Sequence, residues 1–166
     1  VDSVIEFGCG DGAQLRLARY PSYIGLDVSC SVLARCIGSF SDDPTKSFFL
    51  YSDACFQDQH QLFCADLACS LDVIYHLVED ETFDRYMRHL FGAADRFVVV
   101  YSSNSEISDP APHVKHRRFS NWTEKHAHGW KMIRQIKNPY SPLTGGYESS
   151  AADFYIFATK AGEVDV

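Results

Sequence analysis

Three glycines at alternate positions, Gly8, Gly10 and Gly12, close a short apolar run and carry the clearest chemistry in the chain. A glycine turn between a buried strand and a helix lets the backbone approach a ligand closely, because a Cβ there would collide with it or forbid the dihedrals the turn needs. The full segment reads Glu6-Phe7-Gly8-Cys9-Gly10-Asp11-Gly12, and Asp27 ends the next apolar run. As a dinucleotide fingerprint, Gly8-x-Gly10-x-x-Ala13 satisfies the looser rule, with Asp27 placed for ribose hydroxyls. Against that reading, a pyrophosphate wants a helix N-terminus free of nearby acid, and here Glu6 and Asp11 crowd the turn with negative charge. Such acids suit a cationic ligand.

A second group of candidates follows the fourth apolar run. His76 is the leading general base or orienting residue, with Asp72 and Tyr75 beside it; the competing reading is a structural histidine next to Leu77. A third group lies after the most apolar run: Ser102-Ser103-Asn104, then His113-Val114-Lys115-His116-Arg117-Arg118-Phe119, a basic stretch in an acidic chain. Asn104, Arg117 and Arg118 are candidates for an anionic substrate, the arginines through bidentate contacts to carboxylate or phosphate. A solvated surface face is the alternative. His126 and His128, two apart, do not share one helical face, and no metal site is expected.

Alternating strands and helices must position these residues. Continuous apolar runs predict strands over residues 4–7, 23–28, 47–52, 66–71 and 96–101, and two further strands over 130–137 and 153–159. Helical spacing predicts helices over 13–20, 31–40 and 79–91. In the last of these, Glu79, Asp80 and Glu81 occupy the first turn, where the helix dipole favours them, and Phe83, Met87, Leu90 and Phe91 form the inner face. Asn121 with Glu124 resembles a capping box for a short helix to about residue 128, stopped by Gly129 and anchored by Trp122. Residues 139–150, with Pro142 and Gly145-Gly146, are long enough to be a functional loop. The expectation is an α/β fold with a doubly wound, mainly parallel seven-stranded sheet ending in a C-terminal antiparallel pair.

Residues 4–27 resemble motif I and the second strand of the class I S-adenosylmethionine (SAM)-dependent methyltransferases: Glu6 stands two before the first of three alternating glycines. The resemblance extends to Asp53-Ala54, to Ser70-Leu71-Asp72-Val73-Ile74-Tyr75-His76-Leu77 after the fourth strand, and to the terminal strand pair. It implies a single methyltransferase domain over residues 1–166, lacking the helix that usually precedes the first strand. It implies SAM as cofactor, held by Glu6, Gly8, Cys9, Gly10, Gly12, Asp27, Val28, Asp53, Ala54 and Leu71. Asp27 would accept both ribose hydroxyls, Asp53 the adenine amino group, and the Ala54 amide would donate to a ring nitrogen. His76 then becomes the base, with Asp72, Tyr75, Asn104, Arg117 and Arg118 toward a small-molecule acceptor carrying an oxygen or nitrogen nucleophile. A noncatalytic SAM-fold module and an NAD-dependent oxidoreductase remain the alternatives.

Composition agrees with one such domain. The chain has 166 residues, of which 46% are hydrophobic, enough for one core. A net charge of −7 opposes a phosphate-tracking surface, so nucleic acid is not expected as a partner. No apolar window reaches the roughly 18–20 residues of a membrane span. With no leader at its start, the chain is expected in the cytoplasm. The six cysteines lack a Cys-x-x-Cys pair and are expected as buried free thiols.

Overall fold

The computed structural model describes residues 1–107, 111–139 and 151–163. Its strands are β1 (Ser3–Phe7), β2 (Ser22–Asp27), β3 (Lys46–Leu50), β4 (Ala65–Leu71), β5 (Ala94–Ser102), β6 (Lys131–Ile136) and β7 (Asp153–Ala158). They form one sheet in the order β3-β2-β1-β4-β5-β7-β6. The first five pair in parallel, whereas β7 runs antiparallel between β5 and β6. The helices are α1 (Cys30–Ser39), α2 (Asp80–Gly92), α3 (Phe119–His126) and the short α4 (Lys160–Glu163).

Alternation along β1 divides the core between the two faces of the sheet. Ile5 and Phe7 join the larger cluster with Met87, Leu90 and Phe91 of α2, Val98 and Val100 of β5, and Phe119 of α3. Val4 joins the smaller cluster with Leu33 and Cys36 of α1, Tyr23 and Cys69. The apolar stripe of α2 is thereby buried, while Asp80 and Glu81 occupy its first turn. Trp122 anchors α3 as expected, meeting Phe83 and Phe91 edge-on and tilted, with its indole N–H donating to Asp84 Oδ1 at 2.8 Å.

Three local expectations are corrected. The helix over 13–20 is only a 3-10 turn, Leu15–Leu17, after which Ala18 is extended. Pro21 disfavours helical backbone at Tyr20, and only Leu15 of that turn is buried while Leu17 is 89% exposed. A helix there would have a single core anchor. The Asn121/Glu124 capping box does not form, because the N-cap position of α3 falls three residues earlier, at Arg118, which provides no side-chain cap. Instead Asn104 Oδ1, two residues past the end of β5, accepts the Ser120 N–H at 3.1 Å. All six cysteines are free, but Cys30 and Cys55 are exposed. The expected functional loop lies, from residue 140 onward, outside the described residues. Among the described residues no helix is long and apolar enough to cross a membrane, and no cluster of three or more potential ligands could hold a metal.

Candidate functional site

The chain leaves β1 toward β2 and β3, then returns to place β4 on the other side of β1. A crevice opens where the strand order reverses in this way, beyond the C-terminal ends of the strands. The registers Phe7↔Leu26 and Glu6↔Cys69 bring the ends of β1, β2 and β4 to one level. Immediately past β1, the N–H groups of Gly8 and Cys9 both donate to the Leu26 carbonyl, at 2.7 and 3.0 Å.

The three glycines have positive φ, +83° at Gly8, +57° at Gly10 and +76° at Gly12, yet they face different surroundings. A Cβ at Gly8 would fall within 3.0 Å of Val73 Cγ2, and one at Gly12 would meet Phe40 and Cys36. At Gly10 it would meet nothing within 4 Å. Two glycines therefore serve packing, and the middle one faces open space.

Asp27 braces this turn. Its Oδ2 accepts the Gly10 N–H at 3.0 Å and its Oδ1 accepts the Ser29 N–H at 2.9 Å. A carboxylate offers about four acceptor positions, so each oxygen keeps one for a ligand. Through the Ser29 N–H Asp27 also braces the residue that leads into α1, and this leaves its remaining acceptor positions open. A cavity of about 360 Å³ extends from here. Its lining includes Gly8, Asp27, Val28, Asp53 and Leu71 of the expected cofactor residues, together with Asp72 and His76.

The other expected cofactor residues, Glu6, Cys9, Gly10, Gly12 and Ala54, are not part of that lining. Glu6 is 4% exposed and its Oε2 accepts the Tyr23 hydroxyl at 2.6 Å. Burial raises its pKa above the usual carboxyl range; the Tyr23 hydrogen bond opposes this and the Asp27 charge adds to it. Glu6 is a buried brace, so the charge crowding read from the sequence falls on Asp27 and Asp11. Cys9 is buried, with Sγ near Gly25, and burial raises its thiol pKa so far that it is protonated at neutral pH. Ala54 is exposed and outside the cavity lining. Asp53 is paired through Oδ2 with Arg85, at 2.7 and 2.8 Å.

His76 sits in a single 3-10 turn, Ile74–His76. Its Nδ1 lies 3.3 Å from the His113 carbonyl oxygen, which can only accept. Nδ1 therefore carries the proton in the neutral ring, and Nε2 holds the lone pair. Tyr75 packs on the ring at 4.5 Å and donates to Asp72 Oδ1 at 2.6 Å. Burial, followed by this bond to a carboxylate, raises the Tyr75 pKa and keeps the phenol protonated.

The basic segment divides. Arg117, with a side chain 13% exposed, donates to the carbonyls of Leu77 (2.6 Å) and Val78 (2.8 Å) and pairs with Asp80 at 2.8 Å. It also lies over the Phe83 ring at 4.7 Å. Lys115 joins the same carboxylate at 2.7 Å, and these two cations hold Asp80 below its usual pKa. Arg117 is thus a strut between two loops, with its donors spent on protein acceptors, which corrects its assignment to substrate. Arg118 and Asn104 instead line a second cavity.

No protein-family model and no curated protein sequence matches the chain significantly. Solved structures do. The methyltransferase domain of bacterial CtHen1-C is 22% identical, with a TM-score of 0.71 over 95% of this chain and 89% of that one. The N-methyltransferase NodS from Bradyrhizobium japonicum WM9, in complex with S-adenosyl-L-homocysteine, is 14% identical, with a TM-score of 0.75 over 96% and 79%. The chain carries the class I methyltransferase fold. The small RNA methyltransferase HEN1 shares it at 18% identity and a TM-score of 0.70, over 96% of this chain but 23% of that one.

Within this methyltransferase fold the cavity has further walls that sequence reasoning missed: Tyr51, Val73, Leu77, Thr82 and Tyr86. Thr82 and Tyr86 are four apart on α2, so helical spacing places them on one face. The phenol of Tyr86 donates to the Phe7 carbonyl at 2.9 Å and lies 2.7 Å from Ser70 Oγ, tying α2 to the ends of β1 and β4.

Proposed function

We propose that the chain is a SAM-dependent methyltransferase acting on a small-molecule acceptor with an oxygen or nitrogen nucleophile. The observation that carries this reading is the convergence of Gly8, Asp27 with Val28, Asp53 and Leu71, one contribution at or just past the end of each of four strands, on a single cavity. The residues fit SAM on three counts. The cavity volume of about 360 Å³ falls in the range of small-molecule sites, roughly 300–1,000 Å³. The open face of Gly10 leaves room for close backbone approach, and the free acceptor positions of Asp27 match a ribose diol.

When bound, SAM supplies an electrophilic methyl group on a sulfonium. The protein has to align the acceptor with it and take up the acceptor's proton. Asp27 and Asp53 are the acceptors for the ribose and adenine ends, and Val28 and Leu71 supply apolar wall. His76 Nε2 carries the lone pair for proton removal, and the His113 carbonyl fixes the ring's tautomer. The net charge of −7 supports a small acceptor over a nucleic acid.

Calorimetric titration tests the cofactor. SAM binds the native chain, and Asp27→Ala weakens it about 100-fold or more, the loss expected for two hydrogen bonds to a carboxylate. No SAM affinity, or thermal stabilisation by NAD in its place, overturns the reading. His76→Ala lowers the transfer rate and alters its pH profile. An unchanged rate and profile remove the base role.

A further inference from the structure

The sheet registers place a second cavity on the rim that carries the first. Ser102 of β5 pairs with Asp153 at the start of β7, and Ile136 at the end of β6 pairs with Phe154. The end of β6 and the start of β7 therefore lie level with the C-terminal end of β5. A cavity of about 570 Å³ opens there, lined in part by Asn104, Arg118, Asn121 and Lys137.

A hydrogen-bond inventory gives this cavity its chemical character. Asn104 Oδ1 is occupied by the Ser120 N–H. The Gln135 amide N–H groups go to Asp153 Oδ2 at 2.8 Å and to the Tyr155 hydroxyl at 3.3 Å. Lys137 Nζ pairs with Asp153 Oδ2 at 2.7 Å. Burial works to raise the Asp153 pKa, but the bonds from Lys137, the Asn138 N–H and Gln135 outweigh it and hold the carboxylate ionised. Lys137 is thereby largely neutralised. The Arg118 guanidinium and the Asn121 side-chain amide have no partner among the described residues. Arg118 keeps its whole fork of five donors, and Asn121 is released because α3 starts at Phe119. Among the described residues Glu106 is the one acid in the lining.

We infer that this cavity is a subsite for an anionic group, a carboxylate or phosphate, on the methyl acceptor; the acceptor role rests on the function proposed above. Arg118 takes two oxygens of the anion bidentately, and Asn121 adds an N–H. Lys137 lines the same space, and Glu106 opposes the anion. Both cavities lie at the same end of the sheet, and the acceptor role requires one molecule that presents its nucleophile beside His76 and its charge beside Arg118.

Inorganic phosphate titrated into the chain, followed through the side-chain amide resonances of Asn121 and Asn104 and the Arg118 Nε, tests the anion site. Saturable shifts confined to these groups are expected with phosphate and not with glycerol. Arg118→Ala weakens them about tenfold or more. Glu106→Gln strengthens them several-fold, and both variants bind SAM within about twofold of the native chain. No saturable shift, an equal response to glycerol, or a response that survives Arg118→Ala overturns the anion site. A native chain that binds phosphate but not SAM removes the proposed function and leaves this site standing. The acceptor role is read by methyl transfer to matched carboxylates and carboxamides. Transfer to the carboxylates, with Arg118→Ala raising KM about tenfold at little changed kcat, supports it. Transfer to both classes, or to neither, removes the acceptor role.

Discussion

Alanine at Gly8 and at Gly10 separates the two purposes of the glycine turn. Both positions have positive φ, and a side chain there costs about 1–2 kcal/mol of backbone strain. At Gly8 the new methyl also lands on Val73 Cγ2, and overpacking of this kind costs about 1–3 kcal/mol more. Gly8→Ala is therefore expected to lose about 2–5 kcal/mol, the sum of those two terms, and Gly10→Ala only about 1–2. Val73→Ala removes the obstructing methyls at a cost of about 1.6 kcal/mol, two methylene equivalents of burial. The Gly8→Ala/Val73→Ala double variant should recover the overpacking part and not the dihedral part, a coupling of about 1–3 kcal/mol. Urea unfolding of the four members of the cycle, with m values checked for constancy, measures this, and SAM titration of Gly10→Ala supplies the complement. Gly10→Ala should keep its fold and lose SAM. Additivity within about 0.5 kcal/mol in the cycle, or a Gly10→Ala as unstable as Gly8→Ala, refutes the division of labour.

Glu6 gives a pH signature. Because burial raises its folded pKa above the unfolded value, its contribution is fully present below about pH 4.3 and is lost as pH rises toward the folded pKa. Glu6→Gln should therefore gain stability relative to the native chain as pH rises from 4 to 8, and a constant difference across that range counts against it. Tyr86→Phe leaves the Phe7 carbonyl and the Ser70 hydroxyl without their shared partner. A loss of about 1–3 kcal/mol in urea unfolding is expected. Arg117→Lys keeps the charge but not the fork, so it should fail to restore what Arg117→Ala loses, as read by hydrogen exchange of residues 74–80.

The strands were legible because a parallel strand buried on both faces leaves an uninterrupted apolar run, as in Phe97-Val98-Val99-Val100. The turn after β1 misled, since Leu15 and Leu17 look like a helical stripe until the sheet buries one and leaves the other out. Within the site, Gly8, Asp27 and Leu71 could be read from motif position. The Asp53–Arg85 pair, the Asn104 cap on Ser120 and the Arg117 strut join residues 16–40 positions apart, and no local pattern encodes such partners. Tyr86 was overlooked because its hydroxyl made it look unlike the apolar inner face it belongs to. In the basic segment, adjacency suggests that Arg117 and Arg118 act together, whereas Arg117 is bound to the loop after β4 and Arg118, at the start of α3, lines the second cavity.

The bonds of Arg117 to Leu77, Val78 and Asp80, with the Lys115 N–H donating to the Tyr75 carbonyl at 2.8 Å, join the loop after β4 to the segment before α3. For protein engineering, these two stretches form one exchangeable cassette. A graft that replaces residues 72–80 alone would strand a guanidinium without its carbonyls, so residues 113–118 have to travel with it.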